Sequence, residues 1–111
     1  MRVLITGMDG YLGWALAQHL TARGHEVGGA DAFFRRRWVA EMGSHSATPI
    51  VDMAERLVAF KDRWGRAPYF QVGDLASWDH VKSLFEEFRP EAIVHLGECP
   101  SAPYSMIDVH H

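Results

Sequence analysis

A strand that runs straight into three evenly spaced glycines leaves a chain few choices of fold. Val3-Leu4-Ile5-Thr6 are apolar or β-branched, and Gly7, Gly10 and Gly13 follow at intervals of three. A helical pattern starts at once, with Leu12, Leu16 and Leu20 spaced four apart. A strand, a tight turn and a helix N-terminus in this order can cradle a pyrophosphate. Gly7 permits the turn, Gly10 lets backbone N–H groups approach without a Cβ in the way, and Gly13 lets the helix pack close to the strand. Tyr11 and Leu12 complete the cradle at the helix start, where unpaired N–H donors and a partial positive charge face an anion. The glycine triplet alone is a weak signal. Its place between a strand and a helix, with an acid at the expected distance, makes it a nucleotide site.

The rest of the chain alternates in the same way. Residues 2–6 read as a buried strand and 10–23 as a helix stopped by Gly24. A second strand, 25–30, is weakened by Gly28-Gly29. Residues 31–47 lack periodicity. Thr48 and Pro49 then open a helix to about residue 64, with Met53, Leu57, Phe60 and Trp64 on one apolar stripe read as core. A third strand covers 69–72, a helix capped by Ser77 runs to Phe88 before Pro90, and a fourth strand covers 91–96. Alternating strands and helices imply an α/β fold, the N-terminal half of a doubly wound Rossmann-type parallel sheet with strand order 3-2-1-4. Residues 1–111 form one nucleotide-binding domain or subdomain on this reading, and its fourth strand is left for further elements to cover.

Composition excludes several classes. A net charge of −3 argues against a nucleic-acid partner. No apolar run approaches the roughly 18 residues of a membrane span, and the first apolar run is too short for a signal peptide. The single cysteine, Cys99, allows no internal disulfide and fits a cytoplasmic protein. Seven histidines form no His-x-x-x-His pair, so no metal site is expected.

Ligands of such a sheet sit beyond the carboxyl ends of its strands. Asp31, after the second strand, can accept hydrogen bonds from an adenosine ribose and repel a 2′-phosphate, which favours NAD over NADP. Arg35, Arg36 and Arg37 stand against that preference, since guanidinium groups can receive a phosphate, or else they stack on adenine or reach the diphosphate of a second ligand. Asp74 is placed to meet the adenine edge with Leu75 against the ring, or else to cap a turn. Gly97 lets the fourth strand's end pass close to a pyrophosphate or ribose, with Glu98 beside it, while His95 reads as a strand histidine rather than a base.

These pieces occur together and in order: Gly7-Met8-Asp9-Gly10-Tyr11-Leu12-Gly13-Trp14, Asp31 with Arg36-Arg37, Ser46-Ala47-Thr48-Pro49-Ile50, Val72-Gly73-Asp74, His95-Leu96-Gly97-Glu98 and Ser101-Ala102-Pro103-Tyr104-Ser105-Met106-Ile107-Asp108. In this the chain resembles the N-terminal part of the UDP-sulfoquinovose synthase family, within the NAD-dependent sugar-nucleotide epimerases and dehydratases of the extended short-chain dehydrogenase group. The resemblance covers essentially all 111 residues. It implies NAD as cofactor, held by the glycine loop, Asp31, Arg36, Asp74 and Leu75. It also implies a UDP-sugar substrate near Ser101, Tyr104, Ser105 and Met106. The implied reaction oxidises UDP-glucose at C4, eliminates the C6 hydroxyl, adds sulfite at C6 and returns the hydride. Two departures stand out. Cys99-Pro100 replaces the Gln-Arg of the family, which removes a contact to an anionic ligand. The family's Tyr-x-x-x-Lys pair is missing, since the only lysines, Lys61 and Lys82, follow Leu57 and Trp78 by four residues. No catalytic residue is therefore expected among the 111, and a homo-oligomer or a complementing chain is one way the site would be completed.

Overall fold

The structure, a computed structural model, describes residues 1–33, 36–37 and 52–97. Its elements are β1 (Arg2–Thr6), α1 (Tyr11–Ala22), β2 (Glu26–Asp31), α2 (Met53–Trp64), β3 (Tyr69–Val72), α3 (Trp78–Phe88) and β4 (Ala92–His95). All pairings are parallel, in the order β3-β2-β1-β4 expected from the sequence. β1 is therefore central, and Val3, Leu4 and Ile5 are 5%, 1% and 0% exposed. Val3 and Ile5 face one core with Met8, Ala17, Val27 and Phe60. Leu4 points to the opposite face, where α3 buries Leu84 and Phe88. Each such fully buried side chain contributes roughly 1.5–3 kcal/mol.

The glycines of β2 are seats rather than weak points. A Cβ on Gly28 would lie 2.9 Å from the Phe88 ring, and one on Gly29 would lie 2.7 Å from Met8 Cβ. Adjacent strand residues face opposite sides, so the pair admits one large side chain from each layer.

α1 packs by a different stripe from the one its leucines predict. Gly13, Ala17 and Thr21 are buried, Leu16 and Leu20 flank the core, and Leu12 is 64% exposed. The helix lies so close to the sheet that only small residues fit its inner line. It ends as expected at Gly24 (φ 87°), with the Gly24 N–H on Thr21 O and the His25 N–H on Leu20 O.

α2 begins later than a Thr48 cap would place it. Asp52 is extended (φ −66°, ψ 167°) and its carboxylate accepts the Glu55 N–H at 2.9 Å. Thr48 and Pro49 lie outside the described residues. The expected stripe does face inward: Met53 and Phe60 are buried, Leu57 and Trp64 half-buried. Phe60 meets Trp14 of α1 edge-to-face at 5.4 Å. Ser77 caps α3 as expected, accepting the His80 N–H at 3.4 Å. Among the described residues, no helix is long and apolar enough to cross a membrane.

Candidate functional site

The ends of β1 and β4 meet at the glycine loop. Gly7 adopts φ 76°, and a Cβ there would stand 2.6 Å from Leu96 O. The loop turns through a Gly10 N–H bond to Gly7 O at 3.1 Å. Gly13 lies over Gly7 so closely that any Cβ would overlap the Gly7 carbonyl. Gly7 and Gly13 are therefore required by contact, whereas a Cβ on Gly10 would lie 3.2 Å from Gly7 O.

Gly10 caps α1 with no side-chain hydrogen bond, and the first helical turn holds no acidic residue. The first helical bond runs from the Trp14 N–H to Gly10 O at 2.9 Å. The N–H groups of Tyr11, Leu12 and Gly13 lie ahead of it and face the helix mouth. Tyr11 is 90% exposed there. The mouth thus presents N–H donors without helical partners and a positive dipole end, the features that suit an anion.

Asp31 closes β2 beside that seat. One carboxylate oxygen accepts the Asp9 N–H at 3.0 Å and the other the Phe33 N–H at 2.8 Å. Burial pushes its pKa above the usual carboxylate value; the hydrogen bonds oppose this, and the nearby Asp9 charge adds to it. Phe33 follows at φ 60°, an uncommon conformation for a non-glycine residue, held by that bond to Asp31.

Arg36 reaches back to the glycine loop. Its Nε and Nη2 donate to the two Asp9 carboxylate oxygens at 2.5 and 2.6 Å. Arg56 of α2 converges on the same group: its Nη1 donates to Asp9 Oδ1 at 2.7 Å and to the Asp9 carbonyl at 2.9 Å. The Arg56 guanidinium also lies 4.1 Å from the Trp14 ring centroid. Hydrogen bonding to Asp9 raises the Arg36 pKa, whereas burial lowers that of Arg56. Sequence reading named Arg36 and missed Asp9 and Arg56. A signal existed in each case: an acid inside a glycine loop, and an arginine on the apolar stripe between Met53 and Phe60.

At the far side Asp74 accepts the Ala76 N–H at 2.9 Å, the turn-capping alternative, and its side chain is exposed. Leu75 packs over the end of β4, where a Cβ on Gly97 would lie 2.7 Å from its methyl group. Thr6 ties the two central strands: its hydroxyl accepts N–H bonds from Leu96 and Gly97 at 3.1 and 3.2 Å and shares a hydrogen bond with His95 Nδ1 at 2.6 Å. His95 is thus a satisfied strand residue. The structure brings Gly7, Gly10, Tyr11, Leu12, Gly13, Asp31 and Arg36 together, with Leu75 and Gly97 along the same edge. Arg35, Glu98, Cys99, Ser101, Tyr104, Ser105 and Met106 lie outside the described residues.

A parallel sheet with a glycine-loop anion seat and an acid after β2 defines a Rossmann-type dinucleotide-binding protein. The pattern of the NAD dependent epimerase/dehydratase family matches residues 3–109, and the chain belongs to that family. NAD is accordingly its cofactor. The chain is 46% identical over 111 residues to UDP-sulfoquinovose synthase of Sulfolobus acidocaldarius, covering 100% of this chain and 28% of that protein. It is 38% identical over 107 residues to the chloroplastic UDP-sulfoquinovose synthase of Spinacia oleracea, covering 96% of this chain and 22% of that one. Among solved structures it resembles a UDP-glucose-4-epimerase from Stenotrophomonas maltophila with bound NAD and formylated UDP-arabinopyranose (TM-score 0.68, 24% identity, 95% of this chain and 26% of that one). The chain therefore spans between a fifth and a third of the length of these proteins.

Proposed function

We propose that this chain forms the NAD-binding part of a sugar-nucleotide-modifying enzyme of the UDP-sulfoquinovose synthase kind. The observation that carries the reading is the 46% identity over the whole chain to such a synthase. The uncapped α1 mouth, bounded by Asp31, agrees with it. Bound NAD supplies a hydride acceptor and donor for C4 of the sugar. The chain's own residues hold the dinucleotide. The N–H groups of Tyr11, Leu12 and Gly13 bind its pyrophosphate, and Asp31 receives the adenosine ribose hydroxyls. Leu75, with Asp74, walls the adenine, while Gly97 leaves room where the β4 end passes the nicotinamide half. Glu98 belongs to the same cofactor edge on this reading. Ser101, Tyr104, Ser105 and Met106 would face the UDP-sugar.

The Tyr-x-x-x-Lys pair that would take the proton of the C4 hydroxyl is missing from these 111 residues, since neither Lys61 nor Lys82 follows a tyrosine by four. The chain alone should bind NAD and leave UDP-glucose unchanged. Isothermal titration with NAD, followed by incubation with NAD, UDP-glucose and sulfite, tests both halves. Absence of NAD binding would refute the cofactor assignment. Formation of a sulfonated sugar nucleotide by contaminant-free protein would refute the assignment of these residues to cofactor binding alone.

A further inference from the structure

We propose that Asp9, inside the glycine loop, is a second residue that sets preference for NAD over NADP, by holding the Arg36 and Arg56 guanidiniums that could otherwise receive a 2′-phosphate. This rests on the reading of the site as a dinucleotide seat. Arginines near the acid after β2 are a conflicting sign, because guanidinium groups recognise phosphate well. The geometry bears on Arg36, and on Arg56, which the same carboxylate engages. Arg36 is engaged bidentately by the Asp9 carboxylate, and Arg56 donates to the same carboxylate and to the Asp9 carbonyl. The cluster adjoins the ribose acid directly, since the Asp9 N–H donates to Asp31 Oδ2 at 3.0 Å. Its centre is shielded from solvent, with the Asp9 side chain 7% exposed and that of Arg56 13%, while Arg36, at 29%, lies toward the rim. Charges this sheltered are screened little by salt.

Among the described residues, the Asp9 and Asp31 carboxylates meet the Arg36 and Arg56 guanidiniums here, and the Asp52 charge also acts on Arg36. A 2′-phosphate, with close to two negative charges at neutral pH, would meet arginines already engaged by Asp9 and be repelled by Asp31. Removing the Asp9 charge takes away the carboxylate that both guanidiniums share. Local charge then favours the phosphate, although Asp31 is unchanged.

The test is the ratio of NADP to NAD dissociation constants, measured by isothermal titration on the folded 111-residue chain. Asp9→Asn should narrow the wild-type ratio by about tenfold or more, mainly through tighter NADP binding, which corresponds to ~1.4 kcal/mol. Asp9→Asn/Arg36→Gln should return most of that gain, which simple loosening of the loop would not do. Should Asp9→Asn fail to fold because Arg56 is left without its counter-ion, Asp9→Asn/Arg56→Gln removes both buried charges. It should still narrow the ratio through Arg36. A ratio unchanged in a variant that still binds NAD would overturn the inference, as would a gain that persists without Arg36. A wild-type chain that binds neither dinucleotide would instead overturn the reading of the seat itself.

Discussion

Asp31 pays for its position at the end of β2 with an unfavourable burial. Its ordinary pKa of 3.8 is raised in the folded chain, first by desolvation. Between the ordinary and the raised value the folded chain keeps a proton that the unfolded chain has released. Stability therefore falls as pH climbs through that window and stays lower above it. Asp31→Asn should flatten this part of the profile and weaken NAD binding together. Thermal melts at a series of pH values, with a parallel NAD titration, check both; an Asn variant with the wild-type pH slope would place the cost elsewhere. Gly29 makes a second, purely steric point. Gly29→Ala sets a methyl group against Met8 and should cost about 1–3 kcal/mol, the range for overpacking. Adding Met8→Ala should recover part of that loss in a double-mutant cycle by urea unfolding, whereas strict additivity would mean that the two sites do not touch.

Helix ends decide how firmly the site is framed. α2 carries Arg56 to the glycine loop, and its start is fixed by the Asp52 carboxylate on the Glu55 N–H. Asp52→Ala should destabilise the chain by about 1 kcal/mol. A urea midpoint unchanged by this substitution would show that the cap contributes nothing. Gly65, at φ 82°, ends the helix with its N–H on Lys61 O at 2.8 Å. The α1 end, at Gly24, was legible from sequence because the left-handed position calls for glycine within one turn of the last helical residue. The α2 start was not. Thr48-Pro49 and Asp52 both carry capping chemistry, and a choice between two nearby caps depends on where the helix must sit to place Phe60 against Trp14.

The sheet as a whole leaves β4 at one edge. Among the described residues β4 pairs only with β1, and Ile93 is 49% exposed. An apolar edge strand invites association with another chain. The isolated chain should scatter light as a self-associating species, and Ile93→Lys should reduce the scattering without lowering the melting temperature. Monodisperse wild-type protein would show that the edge is covered. NAD should stabilise the fold by about 2.7 kcal/mol at roughly 100 times its dissociation constant, read as a rise in melting temperature.

Strand order, the three glycines, the acid after β2 and the caps at Gly24 and Ser77 were all readable along the chain. Each depends on signals a few residues apart: periodicity, a left-handed turn, a hydroxyl ahead of a helix. The inner line of α1, the use of Gly28-Gly29 as seats, and the meeting of Asp9 with Arg36 and Arg56 were not. Arg36 lies 27 residues from Asp9 and Arg56 lies 47 away. No local preference couples such positions. Only the crossovers that return β2 and α2 to the side of β1 bring them within hydrogen-bond reach. There, exclusion of water makes the choice of ionic partner matter.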